Sequence, residues 1–276
     1  MDLLHHEESG TGTPIVFLHG NPGSSHGWRA VLPHVGGGRL LAPDLIGMGR
    51  SAKPDIEYSF ADHARHLDAW FDALGLDDVV LVGHDWGGAL AFDHAARHPD
   101  RVRGVAFFET IVKPMAWEDL SPQAAERSRR IRTPGVGEEM VLEQNLFVRQ
   151  AFTGGVRTPV GDLEPYLAPF PTPESRRPIL AWARQLPLGG EPAELIPRIE
   201  AYDEWLKTSA GTPKLLLTFE GSPTLLIGEK LTRWCERNVA ALDVVACGEA
   251  GHHAQEDRPK EIAAEIAAWL DRHGLR

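Results

Sequence analysis

The sequence predicts an α/β fold: a mostly parallel central sheet flanked by helices, with a helical cap inserted into it. Three observations predict this. Short apolar strand candidates alternate with amphipathic helix candidates, the rhythm of a parallel sheet covered on both faces. The rhythm stops over residues 114–212, which are proline-rich and hold no good β run, and then resumes. The length, 276 residues with 42% hydrophobic and 24% charged, suits one large core with one insertion. The expected division is a core of 1–113 and 213–276 with a cap of 114–212.

The elements follow in order. Residues 15–18 form an apolar strand that runs into the turn His19-Gly20-Asn21-Pro22-Gly23. Residues 40–42 form a second strand, stopped at Pro43-Asp44. Ser59 is placed to cap a helix whose Leu67, Trp70, Phe71 and Leu74 fall at i, i+3, i+4 and i+7, with Gly75 as its stop. Residues 79–82 are a buried strand, and the small residues Gly87, Gly88 and Ala89 open a helix that can pack closely on the sheet. Residues 102–108 form the next strand, ending at Glu109. After the cap come strands at 214–219 and 242–246, then a last helix with Ile262, Ile266, Trp269 and Leu270 on one face.

Bulk properties exclude several classes. A net charge of −11 with no long basic run argues against nucleic-acid and anionic-membrane partners. The arginines 127, 129, 130 and 132 sit among helix formers and read as a solvated helix face. Only Cys235 and Cys247 are present, without C-x-x-C spacing, as expected of free thiols in a reducing compartment. The first 20 residues contain Glu7 and Glu8 and lack the pattern of a signal peptide. No run of about 20 apolar residues exists to span a membrane. The expected location is the cytoplasm; no oligomeric state is specified.

The chemistry concentrates in Val80-Leu81-Val82-Gly83-His84-Asp85-Trp86-Gly87-Gly88. This has the strand–turn–helix form of a G-x-S-x-G nucleophile elbow, with aspartate in place of serine. A serine needs a base before it can attack. A carboxylate is already ionised at neutral pH and can displace a leaving group from an alkyl carbon directly, forming an ester. A capping aspartate would not require the flanking glycines. Trp86 follows at once; its indole offers one N–H and no acceptor, suited to a halide in a dry pocket. Asn21 adds a side-chain amide and a backbone N–H, although asparagine also favours turns for its own sake.

Asn21, Asp85, Glu109 and the loop Gly251-His252-His253 all fall at carboxyl ends of strands, where open α/β sheets bind ligands. Their order of nucleophile, acid and histidine is that of a hydrolase triad. His252 is the candidate general base, with His253 as competitor. Glu109 is the candidate orienting acid, with Glu220 as alternative. The turn Asp44-Leu45-Ile46-Gly47-Met48-Gly49-Arg50-Ser51 lacks phosphate-loop spacing and reads as structural. There is no H-E-x-x-H and no His/Cys cluster with metal spacing, so no metal or organic cofactor is implied.

These residues together resemble the haloalkane dehalogenases of the α/β-hydrolase superfamily. The resemblance runs over nearly the whole chain. It is strongest at His19-Gly20-Asn21-Pro22, at Gly83-His84-Asp85-Trp86-Gly87-Gly88, at Phe108-Glu109 followed by Lys113-Pro114, at Gln255-Glu256-Asp257, and at Thr172-Pro173-Glu174-Ser175-Arg176-Arg177-Pro178 in the cap. It implies an α/β-hydrolase fold, an Asp85 nucleophile, halide donors Asn21 and Trp86, acid Glu109 and base His252. The Asn21 and Glu109 pairing is similar to the subgroup whose acid follows the strand after the elbow, which demotes Glu220. Spacing to Gln255 favours His252 over His253.

The implied partners are a small halogenated alkane, a halide ion and water. The sequence departs from the family in two places. Only 14 residues precede Ile15, so one N-terminal strand is expected to be missing or replaced, leaving about seven strands. His253 and Ala254 stand where bulky apolar residues are usual. Trp182 and Phe219 are expected to line the cavity.

An epoxide hydrolase shares the Asp–His scaffold but needs cap tyrosines to protonate the epoxide; Tyr166 and Tyr202 lie in the window. A fluoroacetate-type dehalogenase would need arginines for a substrate carboxylate near the elbow, and no matching pair is present. A luciferase-like oxygenase and a catalytically silent receptor share the scaffold more remotely.

Overall fold

The computed structural model describes residues 4–276. Seven strands form one sheet in the order β1-β3-β2-β4-β5-β6-β7: β1 (His6–Thr11), β2 (Pro14–Leu18), β3 (Gly38–Pro43), β4 (Val79–His84), β5 (Val102–Phe108), β6 (Lys214–Glu220) and β7 (Leu242–Glu249). Among the described residues, only the edge pair β1–β3 is antiparallel. The number seven agrees with the expectation. The sequence did not reveal β1 itself, because His-Glu-Glu-Ser-Gly-Thr has no apolar alternation; all but its first residue are exposed.

Side chains alternate across the strands and divide the core in two. Val16, Leu18, Leu81, Val105, Phe107 and Leu216 face one layer. Ile15, Phe17, Val80, Val82, Phe108 and Leu217 face the other. The first layer is covered by α1 (Phe60–Ala73) and α2 (Trp86–Arg97), and the second by the C-terminal helix Pro259–Arg272. Helix α1 starts at a capping box in which Ser59 and Asp62 satisfy each other's backbone N–H groups.

Between β5 and β6 the longer elements are α3 (Pro122–Arg132), α4 (Leu146–Gly154), α5 (Arg177–Arg184) and α6 (Ile196–Thr208). Helices α3, α4 and α5 contribute walls to a pocket above Asp85. Helix α6 instead packs on α2, with Tyr202 against Phe92 and its hydroxyl donating to the Ile111 carbonyl at 2.7 Å. It therefore extends the covering layer of the sheet. The longer helices after β6 are α7 (Glu229–Asn238) and α8 (Pro259–Arg272). Among the described residues, no helix is long and apolar enough to cross a membrane.

Candidate active site

Strand β4 is buried along its whole length and delivers Asp85 to a sharp turn with φ 53° and ψ −126°. Such backbone costs a non-glycine residue about 1–3 kcal/mol and persists only where its surroundings over-determine it. Here the Asp85 carbonyl accepts from Thr110 Oγ1 at 2.6 Å and from the Gly88 N–H at 3.0 Å. A Cβ on Gly83 would overlap the Gly88 backbone, and one on Gly20 would overlap the Asp85 carboxylate. Glycine at those two positions lets the helix start against the strand and lets the Asn21 turn reach the carboxylate.

The Asn21 N–H donates to Asp85 Oδ1 at 2.8 Å. The turn that presents it is fixed by His19, whose Nδ1–H donates to the Gly20 carbonyl at 2.8 Å while Nε2 accepts from the Leu45 N–H at 2.9 Å. That pairing sets the His19 tautomer. Asp44 accepts from the Ser25 and Arg50 N–H groups at 2.6 and 2.8 Å, so the 44–51 turn is occupied holding itself and its neighbours together.

His252 lies between two carboxylates. Its Nδ1 is 3.1 Å from Glu109 Oε2 and its Nε2 is 3.5 Å from Asp85 Oδ2. Glu109 is 1% exposed and also accepts from the Leu226 and Ile227 N–H groups at 2.6 and 3.1 Å. Burial works against a charged imidazole, but hydrogen bonds and charge from Asp85 and Glu109 outweigh it and push the His252 pKa up to about 9. Burial also works against the Asp85 carboxylate; His252 and the Asn21 N–H overcome it and hold the pKa below the usual range. Glu220 is exposed at the end of β6 and makes no hydrogen bond to His252. His253 lines the same pocket but pairs with neither carboxylate; its ring packs against Phe152 at 4.7 Å.

Sequence reasoning assigned no role to His84. It is buried, and its Nε2 lies 2.8 Å from the His252 carbonyl. A carbonyl only accepts, so Nε2 carries the proton. Burial, aided by the nearby His252 charge, lowers the His84 pKa to about 3 and keeps the ring neutral. The signal was available: His84 precedes Asp85 on the strand, and adjacent strand residues face opposite ways.

The pocket is a cavity of about 140 Å³ over Asp85, with Asn21, Trp86, His252, His253 and Trp182 among its lining residues. Trp86 and Trp182 meet edge-on at 4.8 Å. The Trp86 N–H has no protein acceptor among the described residues. One N–H of the Asn21 amide donates to the Ile179 carbonyl at 3.0 Å, and its Oδ1 is buried without a partner. Tyr166 and Tyr202 do not line the cavity: the Tyr166 hydroxyl is bonded to Glu256 and Arg29, and that of Tyr202 to Ile111.

One sequence expectation needs correction and another needs an addition. Phe219 does not line the pocket; strand alternation turns it into the lower core beside Leu215 and Leu217, 5.7 Å from Phe108. The arginines of α3 are largely solvated as expected, with Arg127, Arg129 and Arg130 exposed and Arg132 half-buried, but they also make contacts. Arg129 and Arg132 flank Trp117 at 4.9 and 5.2 Å, and Arg127 reaches the pocket.

Away from the pocket, Asp68, His94 and His98 bring ligand-type atoms within 4.8 Å of one another. The Arg97 guanidinium already occupies that cluster, bonded to both Asp68 oxygens and to His98. The cluster is an ion-pair network whose cation is an arginine.

The chain matches the family model described as the alpha/beta hydrolase fold over residues 13–259. It is 47% identical to a haloalkane dehalogenase of Agrobacterium fabrum, over 98% of this chain and 88% of that one. It is 46% identical to a haloalkane dehalogenase of Mesorhizobium japonicum, over 96% and 86% of the two chains. Its structure is similar to the crystal structure of the haloalkane dehalogenase DatA from Agrobacterium tumefaciens, with a TM-score of 0.92, 46% identity, and 98% and 93% of the two chains covered.

Proposed function

The chain belongs to the haloalkane dehalogenases, hydrolases of the α/β-hydrolase fold that act on carbon–halogen bonds, and we propose that Asp85 is the nucleophile of its reaction. The substrate is a small halogenated alkane and one product is a halide ion. In our reading, residues 114–212 contribute the cap, His252 is the general base, Glu109 orients it, and Asn21 and Trp86 hold the departing halide.

The steps follow from the atoms present. Asp85 Oδ2 attacks the halogen-bearing carbon in line; a C–O bond forms and the C–X bond breaks, the electron pair leaving with the halide. The halide meets the N–H groups of Trp86 and Asn21. In a pocket without bulk water such charge-assisted hydrogen bonds offset the loss of hydration. The product of this step is an alkyl ester on Asp85. His252 Nε2 then takes a proton from water as the water attacks the ester carbonyl carbon. The developing oxyanion is Oδ1, already bonded to the Asn21 N–H. Collapse breaks the bond between carbonyl carbon and Oδ2, and the alcohol leaves carrying Oδ2 and the proton from His252. Net, alkyl halide and water give alcohol, halide and one proton.

The observation that carries this reading is the Asp85 carboxylate, with Oδ1 held by a backbone donor at 2.8 Å and Oδ2 facing His252 in the pocket. Against the epoxide hydrolase reading, each cap tyrosine is committed elsewhere and neither reaches the cavity. Two free, buried thiols, whose pKa values burial raises to about 12, fit the cytoplasm, where we place the enzyme. Bromide release from 1,2-dibromoethane and 1-bromobutane, abolished in Asp85→Asn, is the expected result. Bromide release undiminished in that variant would remove Asp85 from the chemistry.

A further inference from the structure

One cation on the wall of the pocket has no ion-pair partner among the described residues. Helix α3 holds Arg127, Arg129, Arg130 and Arg132 against the single acid Glu126. Arg129 and Arg132 are anchored on Trp117, and Arg132 also donates to the Leu186 carbonyl. Arg127 differs. It lines the cavity, with its guanidinium carbon 6.0 Å from the ring centre of Phe147, another lining residue. It forms no ion pair and no hydrogen bond with any other described residue. A planar guanidinium without a partner presents a fork of donors suited to a carboxylate.

A second, independent observation lies deeper in the same cavity. His253 is 4% exposed and lines the pocket, yet its ring nitrogens have no hydrogen-bond partner among the described residues. Its ring is held by packing on Phe152, and its backbone N–H donates to the Gly155 carbonyl at 3.0 Å. Burial above all, with positive charge from His252 and Arg127, keeps the imidazole neutral, leaving one donor and one acceptor. The unpaired imidazole lies on a wall that also carries Asn21, Ser128, Gln150 and Thr224, and it is a place where a ligand's polar group fits.

We propose that Arg127 and His253 form an anion subsite on the wall of the pocket, so that the enzyme prefers haloalkanes whose far end carries a carboxylate. This rests on the reading that the halogen-bearing carbon sits at Asp85. It also sets a length requirement. Asp85 and Glu109 outnumber the positive charge of His252, so a carboxylate next to the reacting carbon is repelled from the floor. Several methylenes must separate the two ends. That distinguishes the preferred substrates from halogenated acetates.

Two measurements test the proposal. The first is the ratio of kcat/KM for 6-bromohexanoate to that for 1-bromohexane, in wild type, Arg127→Gln, Arg127→Lys and His253→Phe. The ratio is expected to fall by about tenfold or more in Arg127→Gln, to recover in part in Arg127→Lys, and to fall in His253→Phe. The second is calorimetric binding of unreactive hexanoate and 1-hexanol, which needs no turnover. Hexanoate is expected to bind wild type about tenfold or more tightly than it binds Arg127→Gln, and addition of salt should narrow that gap. Equal hexanoate affinity in the two proteins, or an unchanged kcat/KM ratio, overturns the proposal. Loss of hexanoate binding in Arg127→Gln, in a protein that releases no bromide from 1-bromohexane, would leave the subsite standing and defeat the assignment of the floor chemistry instead.

Discussion

His252 Nε2 lies 3.5 Å from Asp85 Oδ2, so the proposed base and the proposed nucleophile are an ion pair before substrate arrives. The pair solves a timing problem. With its pKa near 9, His252 is protonated in the free enzyme at neutral pH and cannot act as a base. Alkylation turns Asp85 into a neutral ester and removes one of the two anions that stabilise the imidazolium. The His252 pKa then falls, and the imidazole becomes a base when water must be activated. The first step needs no base, and the second creates its own.

The two steps therefore differ in pH dependence. In rapid-mixing experiments the burst of halide release is expected to be nearly flat between pH 6 and 8. Ester hydrolysis is expected to rise with pH over the same range. Parallel pH profiles for the two steps would contradict the coupling.

Glu109 acts only through His252, and its removal is expected to split the steps. Glu109→Gln retains the shape but loses the charge that supports the imidazolium during hydrolysis. Ester hydrolysis should slow by roughly 10²-fold or more, while the halide burst persists. Equal loss in both steps would point to a collapsed pocket; a shifted hydrolysis pH profile would identify a positioning role.

Trp86→Phe keeps the packing against Trp182 and deletes the indole N–H. Losing one donor to a developing anion costs roughly 10²-fold in rate, and the burst of halide release is where that loss should appear. Chloride inhibition should weaken in the same variant. An unaltered burst would assign Trp86 to packing alone.

Stability carries the same charges. The folded-state pKa of His252, about 9, is above its ordinary value of 6.5. Its contribution, up to roughly 3 kcal/mol, is fully present below pH 6.5 and is lost as pH rises through 9. His84 works in the opposite sense: its folded pKa near 3 makes the protein lose stability as pH falls from 6.5 toward 3. Urea unfolding should show the stability advantage of wild type over His252→Gln shrinking between pH 6.5 and 9. A gap that does not change over that window would contradict the ion pair.

Much of the core was legible because its strands are short, apolar and bounded by turn residues. Strand β5 has the bounds expected from the sequence, 102–108, and Ser59 caps α1 as its pattern indicates. The candidate floor residues stood out because chemistry restricts them: an aspartate between glycines at a strand end has few structural uses. Strand β1 was hidden because an edge strand needs only backbone pairing on one side, and its side chains carry no pattern. That Arg127 also lines the pocket was hidden because a helical stretch does not say which face meets a cavity built from distant segments. Phe219 was misplaced for a related reason: a strand's period fixes two faces, but not which one looks toward the site.

The most direct measurement is covalent trapping. His252→Phe, mixed with 1-bromobutane, should release one bromide per protein and gain the mass of a butyl group in place of a proton, located on the Asp85 peptide. Repeated turnover by that variant, or a modification-free Asp85 peptide after bromide release, would contradict an ester intermediate at Asp85.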